Sequence, residues 1–287
     1  MKGVESPMSL DRATIVTIGS ALPPAIGIFG RLEALLRKSD TDLDEIVDLI
    51  RIDPALTFQV IKLGNSVFYG LKNRCDSLEE AVARVGFGDI HSLVGLVAAR
   101  HACQQDLQTY QMPARRFWEN AVATGQLMMA FASRAGTDTR TAYSTGLLRN
   151  IGRIVINNYP GAVRYPGVAQ AKDLAAWEMD TYRISAAEVA AQLLEHWRFA
   201  AETVGAVRWH VHPETATDSN SAAAMLHVAA AVADGWGLGL PGEQTLWQQN
   251  AAMLELAGLS EASAGAAITE AQEKFVRIAG LQWASAA

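Results

Sequence analysis

The sequence predicts an all-α protein. Three observations lead there: apolar residues recur at helical spacing, residues suited to capping stand where those runs begin and end, and alternating strand patterns are nearly absent. Leu43, Ile46, Val47 and Ile50 stand at i, i+3, i+4 and i+7, one apolar stripe, and Thr41 with Asp44 three residues on is a plausible cap before it. Asp53-Pro54 then restarts the chain, because Asp accepts free amide hydrogens at a helix start and Pro tolerates the first helical position. The next helix is predicted from about Ala55 towards Gly64.

Ser77 followed by Glu80 has capping-box spacing, and Gly86 is placed to end that short helix in a left-handed conformation. Pro113 opens a long helix through Phe117, Val122 and Phe131, with Gly136 as its stop. Further helical runs are predicted at about 142–158, 168–178, 186–210, 220–236 and 244–280. The alanine-rich tail after Glu261 is expected to fray at its very end, and no internal repeat is visible. The clearest break falls at Gln108 to Pro113, so one helical lobe is expected before it and a second, packed extensively on the first, after it.

Composition narrows the function classes. With 287 residues, 50% of them hydrophobic and 19% charged, the chain can bury a substantial core. Its 24 basic against 30 acidic residues give a formal net charge of -6, so no global basic footprint exists to hold a phosphate backbone, and nucleic acid is not an expected partner. Cys75 and Cys103 lie far apart without C-x-x-C spacing, which argues against a disulfide framework or a cysteine zinc site. The first ten residues lack the basic-then-apolar order of a signal peptide. The stretch Asn120–Ser133 is uncharged for only about 14 residues where a bilayer span needs roughly 20, so no membrane partner is expected and the location should be cytoplasmic.

Leu22-Pro23-Pro24, then Ile52-Asp53-Pro54-Ala55-Leu56, then Leu63-Gly64-Asn65-Ser66 resemble, in order and spacing, the opening signature of HDOD domains. Ser77-Leu78-Glu79-Glu80-Ala81-Val82 with Val85-Gly86 is similar to that family's following segment, and Gly146-Leu147-Leu148 with Ile151-Gly152 to its central helix. The resemblance covers roughly residues 15–215. It implies an all-α, HDOD-type helical bundle related to HD phosphohydrolases and usually regulatory. The implied organisation is an N-terminal helical lobe (1–110), a degenerate HD-like lobe (111–215) and C-terminal helices packed on it (216–287).

The same resemblance locates the hydrolase's metal ligands, and here they are replaced. An HD hydrolase grips its metal through a histidine, an adjacent His-Asp pair and a later aspartate. Asn120 stands at the first histidine position, Arg149 and Asn150 at the His-Asp pair, and Ala186 where relatives often have histidine, leaving His210 and Asp234 as conceivable ligands. A guanidinium is always protonated and repels a cation. Left unpaired in a pocket it would cost several kcal/mol, so Arg149 should face solvent, an anion or a carboxylate, with Asp234 the candidate partner.

Asn65 and Ser66 read first as helix-end residues and alternatively as part of a groove between lobes. His210 reads as a hydrogen-bonded core histidine and His212 as exposed, since residues two apart on a helix face different ways. Neither a phosphate-cradling glycine loop nor a nucleophile motif is present. The tryptophans at 118, 177, 197, 209 and 236 read as core or interface packing. No catalytic residue, metal or cofactor is expected. The leading function is a non-catalytic bacterial signalling regulator that works through other signalling proteins, with no fused receiver, kinase or cyclase domain to reveal its pathway. The alternative is a sensor for an anionic nucleotide or metabolite in the degenerate pocket, its groove drawn from Asn65, Ser66, Asn120, Arg149, Asn150, His210 and Asp234. Residual phosphohydrolysis ranks third.

Overall fold

The structure, a computed structural model, describes residues 9–66, 74–167, 173–218, 220–247 and 250–284. These form fifteen α-helices and no strand, as the apolar spacing predicts. The first six are α1 (Arg12–Ser20), α2 (Pro24–Leu36), α3 (Leu43–Arg51), α4 (Pro54–Gly64), α5 (Leu78–Val85) and α6 (Phe87–Ala102). Then come α7 (Ala114–Ala135), α8 (Thr139–Leu148), α9 (Ile151–Asn157), α10 (Leu174–Tyr182), α11 (Ala186–His196) and α12 (Ala201–Trp209). The chain closes with α13 (Asn220–Ala233), α14 (Ala251–Leu256) and α15 (Glu261–Ala284).

Most helix ends follow local chemistry. Asp53 accepts from the amides of Ala55 and Leu56, and Ser77 from that of Glu80, so both caps act as their side chains dictate. Gly136 stops α7 in the left-handed region (φ 72°, ψ 26°). Gly86 also has positive φ (83°), but its ψ of 157° is extended, and the chain turns by 111° from α5 into α6 there instead of capping with a left-handed helical residue. Thr41 does not cap α3: Asp42 holds that position, and the Thr41 hydroxyl turns back to donate to the Leu35 carbonyl. Residues 168–172 of the predicted run 168–178, and the last three of the tail, lie outside the described residues; α10 begins at Leu174.

Three predicted single runs are each two helices. Residues 142–158 divide at Arg149-Asn150, 186–210 at 197–200, and 244–280 at 257–260. The first division matters most, because it turns the chain where the site is built. Gly152 lets α9 press on α11: a Cβ there would stand 2.0 Å from the Ala186 carbonyl oxygen. Gly146 performs the same service between α8 and α7, against Thr124.

One hydrophobic core runs from Leu10 to Ala271. Central α7 packs along α8 and is covered by α15 and α13, while α6 joins the first helices to α7 and α8. The opening helix α1 reaches across the molecule to α11 and α9, with the Leu10 amide bonded to the Tyr182 carbonyl. Trp118 is buried, and Trp177, Trp197 and Trp236 pack against the core from partly buried positions. Trp209 departs from the packing expectation and is 41% exposed, because it sits at the end of α12 where the helix leaves the core. Both cysteines are buried free thiols. Among the described residues no single helix is long and apolar enough to cross a membrane.

Candidate functional site

Residues from four parts of the chain converge at the α8–α9 break. Arg149 ends α8 and is 1% exposed. Its Nη2 donates to Glu243 Oε2 at 2.9 Å and to Asn120 Oδ1 at 3.1 Å, and its Nη1 donates to Glu243 Oε1 at 3.2 Å. The guanidinium also stacks over Trp247, 5.3 Å from the ring centre. Turning the Asn150 oxygen toward the arginine supplies acceptors to Nη2 and Nε at 3.1 and 3.3 Å, the orientation two cationic donors demand.

His210 completes the shell. Its Nδ1 lies 2.7 Å from the Val207 carbonyl, which fixes the proton there and leaves Nε2 as an acceptor 3.4 Å from Arg149 Nη1. Burial, reinforced by Arg149, pushes this imidazole down to about 3, so it stays neutral. His227 Nδ1 in turn donates to the His210 carbonyl at 2.9 Å.

Burial pushes the Glu243 carboxyl upward, but Arg149 and Arg153 outweigh it and hold the group below the usual carboxylate range. Arg149 therefore has the carboxylate partner its burial requires, but that partner is Glu243 and not Asp234. Asp234 is only partly buried; burial and then the Glu243 charge raise its carboxyl, with Arg149 offsetting them in part. The α13 helix passes into a wide turn at Asp234–Leu238, kinked at Gly237 (φ 76°, ψ 15°). That turn delivers the Leu238 carbonyl to Asn120 Nδ2 at 2.9 Å, while Glu243 arrives on the loop beyond it.

A second layer extends from Glu243. Arg153 Nη2 donates to Glu243 Oε1 and its guanidinium lies over Tyr110, 5.2 Å from the ring centre. Tyr110 donates to Glu178 Oε1 at 2.9 Å, and Glu178 Oε2 accepts from the Ala186 amide at 2.7 Å. Burial drives the Glu178 carboxyl up to about 7, against the pull of Arg153. Beside these groups lies a cavity of about 210 Å³, walled by α9, α10, the start of α11 and the end of α12, with Arg149, Arg153, Glu178, His210 and Glu243 on its inner side.

Asn120, Arg149, Asn150 and His210 are thus brought together as the resemblance implies, and Ala186 lines the cavity. Asn65 and Ser66 do not line it. Asn65 caps α4 and exchanges hydrogen bonds with the Cys75 backbone, donating at 3.0 Å and accepting at 2.7 Å, which ties the end of α4 to the segment before α5. His212 is exposed at the cavity mouth. Sequence reasoning missed Glu243, Arg153, Trp247 and the Tyr110–Glu178 pair. Arg149-x-x-x-Arg153 spacing was a usable signal for one of them; Glu243 lies in a loop and nothing local marks it.

The residues do not fit the metal that a resemblance to HD phosphohydrolases would imply. A guanidinium sits among the amide, imidazole and carboxylate acceptors, and among the described residues no group of three or more His, Cys, Asp or Glu converges to hold an ion. No hydrolytic step can be derived through such a group here.

Comparison with known proteins fits this geometry. A family model for the HDOD domain matches residues 22–213. The chain is 28% identical over 185 residues to an uncharacterized protein of Treponema pallidum (strain Nichols), covering 62% of this chain and 35% of that one. A crystal structure from Marinobacter aquaeolei VT8, provisionally described as a signal transduction protein, has 22% identity and a TM-score of 0.66 over 97% of this chain and 62% of that one. Another from Shewanella amazonensis SB2B, provisionally described as a phosphohydrolase, has 24% identity and a TM-score of 0.68 over 92% and 95%. The chain therefore spans about a third of the Treponema relative and under two thirds of the Marinobacter protein. At these identities the solved structures share the fold, and the family match covers most of the chain: it belongs to the HDOD family.

Proposed function

We propose that this chain is a non-catalytic bacterial signal-transduction regulator that acts in the cytoplasm through contacts with other signalling proteins, without nucleic-acid or membrane partners. The observation behind this reading is the Arg149 side chain. It contributes its own positive charge to an acceptor shell of Asn120, His210 and Glu243, and so ties together the helices that a bound ion would otherwise join. A tie of that kind preserves the scaffold while removing the Lewis acid and the activated water that phosphoester hydrolysis needs. The negative net charge of the chain supports a protein partner over a nucleic acid.

Purified protein assayed against bis(p-nitrophenyl) phosphate and cyclic dinucleotides, with manganese, iron or magnesium added, should show no turnover above the metal-only background. Stoichiometric metal retained through chelation, together with turnover abolished by Asn120→Ala, would replace the regulator with an enzyme. Affinity capture from the native cell should return a defined signalling protein.

A further inference from the structure

At the end of α12 the core leaves Trp209 41% exposed, although so large an aromatic gains much by burial. The indole lines a groove of about 580 Å³ that follows α12 from Ala201. Phe199 and Val204, both buried, form its apolar floor. Glu202 and Trp209 stand nearly two helical turns apart on α12, about 10 Å along the axis.

The charges around this groove do not balance. Among its lining residues the one cation is Arg208, held by Glu188 at 2.7 Å and approached by Glu195 at 3.9 Å. Glu195 also pairs with Arg12 at 2.9 Å. Glu202 and Asp218 are exposed, and among the described residues neither carboxylate takes part in an ion pair. An exposed indole face attracts a guanidinium or ammonium through its quadrupole, and carboxylates in the same groove add to that attraction. Tryptophan is also a residue on which protein contacts commonly anchor.

We infer that this groove docks an extended, basic segment of a protein partner, with one cationic side chain on the Trp209 indole and a second at Glu202. An apolar residue between them would lie over Phe199 and Val204. The register follows from length, since about 10 Å is three residues of extended chain. Charge complementarity selects the occupant: the spare carboxylates repel an acidic segment and, for the same reason, a nucleic acid. The volume lies within the range of ligand sites and accommodates a few side chains, not a folded element.

This inference rests on the regulator reading, because it names the chemistry of the partner that reading requires. The test is fluorescence anisotropy of the full chain with acetyl-Arg-Leu-Ser-Arg-amide carrying an uncharged fluorophore, and with the Glu-Leu-Ser-Glu counterpart. The basic peptide should bind saturably, one per chain, and more weakly as salt rises; the acidic one should not bind. Trp209→Ala should weaken binding about tenfold or more. Glu202→Gln/Asp218→Asn should weaken it about fivefold and flatten its salt dependence, while Asp180→Asn on exposed α10 should change nothing. If Trp209→Ala does not fold, the double carboxamide variant, altered only on the exposed rim, decides alone. Equal binding of the acidic peptide, no saturable binding at millimolar basic peptide, or wild-type affinity in the double variant overturns the proposal. So does a wild-type dimer that Trp209→Ala dissolves in sedimentation velocity, since a second copy would then cover the groove. Turnover in the phosphoesterase assay would strike the regulator reading and this inference with it, whereas peptide failure without turnover strikes this inference only.

Discussion

Two buried carboxylates in this molecule have opposite fates. Glu243 is enclosed by two buried guanidiniums, Arg149 and Arg153, and stays ionised. Glu33, on α2, is equally buried but meets one arginine, Arg37, whose side chain is 36% exposed and bonds at 2.9 Å. Burial wins there and raises the Glu33 carboxyl to about 7, Ser144, Arg37 and the Ala200 amide offsetting it only in part. Its surroundings follow suit: nearby His91, 3.3 Å from Ser144 and packed on Phe29, is driven by burial to about 4 and stays neutral. Desolvation penalises both carboxylates alike, so the number and burial of the facing cations decide which one keeps its charge.

The sharpest way to break that comparison is to remove a cation or its anion. Arg149→Ala and Glu243→Ala should each destabilise the fold by roughly 3–5 kcal/mol in urea titrations, because each strands the opposite charge in the core. Replacing the whole buried triad, in an Arg149→Met/Arg153→Met/Glu243→Leu variant, should recover much of the loss. If either single change costs less than about 0.5 kcal/mol, the pair is not the tie described above.

A smaller effect separates the two sites by pH. The native Glu33 carboxyl at about 7 lies above its ordinary 4.5, so the folded state keeps a proton that the unfolded chain has released, and this group's contribution falls as pH rises from about 4.5 to 7. Glu33→Gln removes that titration. Relative to the parent it should gain roughly 1–3 kcal/mol between pH 5 and pH 8, read from urea midpoints at both values. Glu243→Gln should not gain in that window, since its native carboxyl is held low and its stabilisation is lost only as pH falls.

The smallest effect expected is at Asp234. With Glu243 as the partner of Arg149, Asp234→Asn should shift stability by no more than about 0.5 kcal/mol, the range of a substitution that breaks no buried pair. A loss on the scale of Arg149→Ala would return Asp234 to the centre of the site.

Much of the architecture was readable before any coordinates, because helices are specified locally. The stripe through Leu43 to Ile50, the Asp53 and Ser77 caps and the Gly136 stop each depend on residues within one or two turns, and each reappears as an element or its end. Thr41 failed as a cap for an equally local reason: its hydroxyl had a competing acceptor in the turn before it. The Asn120, Arg149, Asn150 and His210 cluster was reachable through the order of family motifs, which encodes a shared fold without encoding distances.

Composition and local pattern thus determined an all-helical chain and many of its helix ends, and the family resemblance put a guanidinium where a metal ligand would be expected. Tertiary structure alone decided that Glu243, 94 residues away on a loop, neutralises Arg149 in place of Asp234, and that Trp209 is left exposed over a groove. Periodicity reports which face of a helix is apolar; it says nothing of which distant charge is delivered to a buried partner, because that depends on how the helices close around the core.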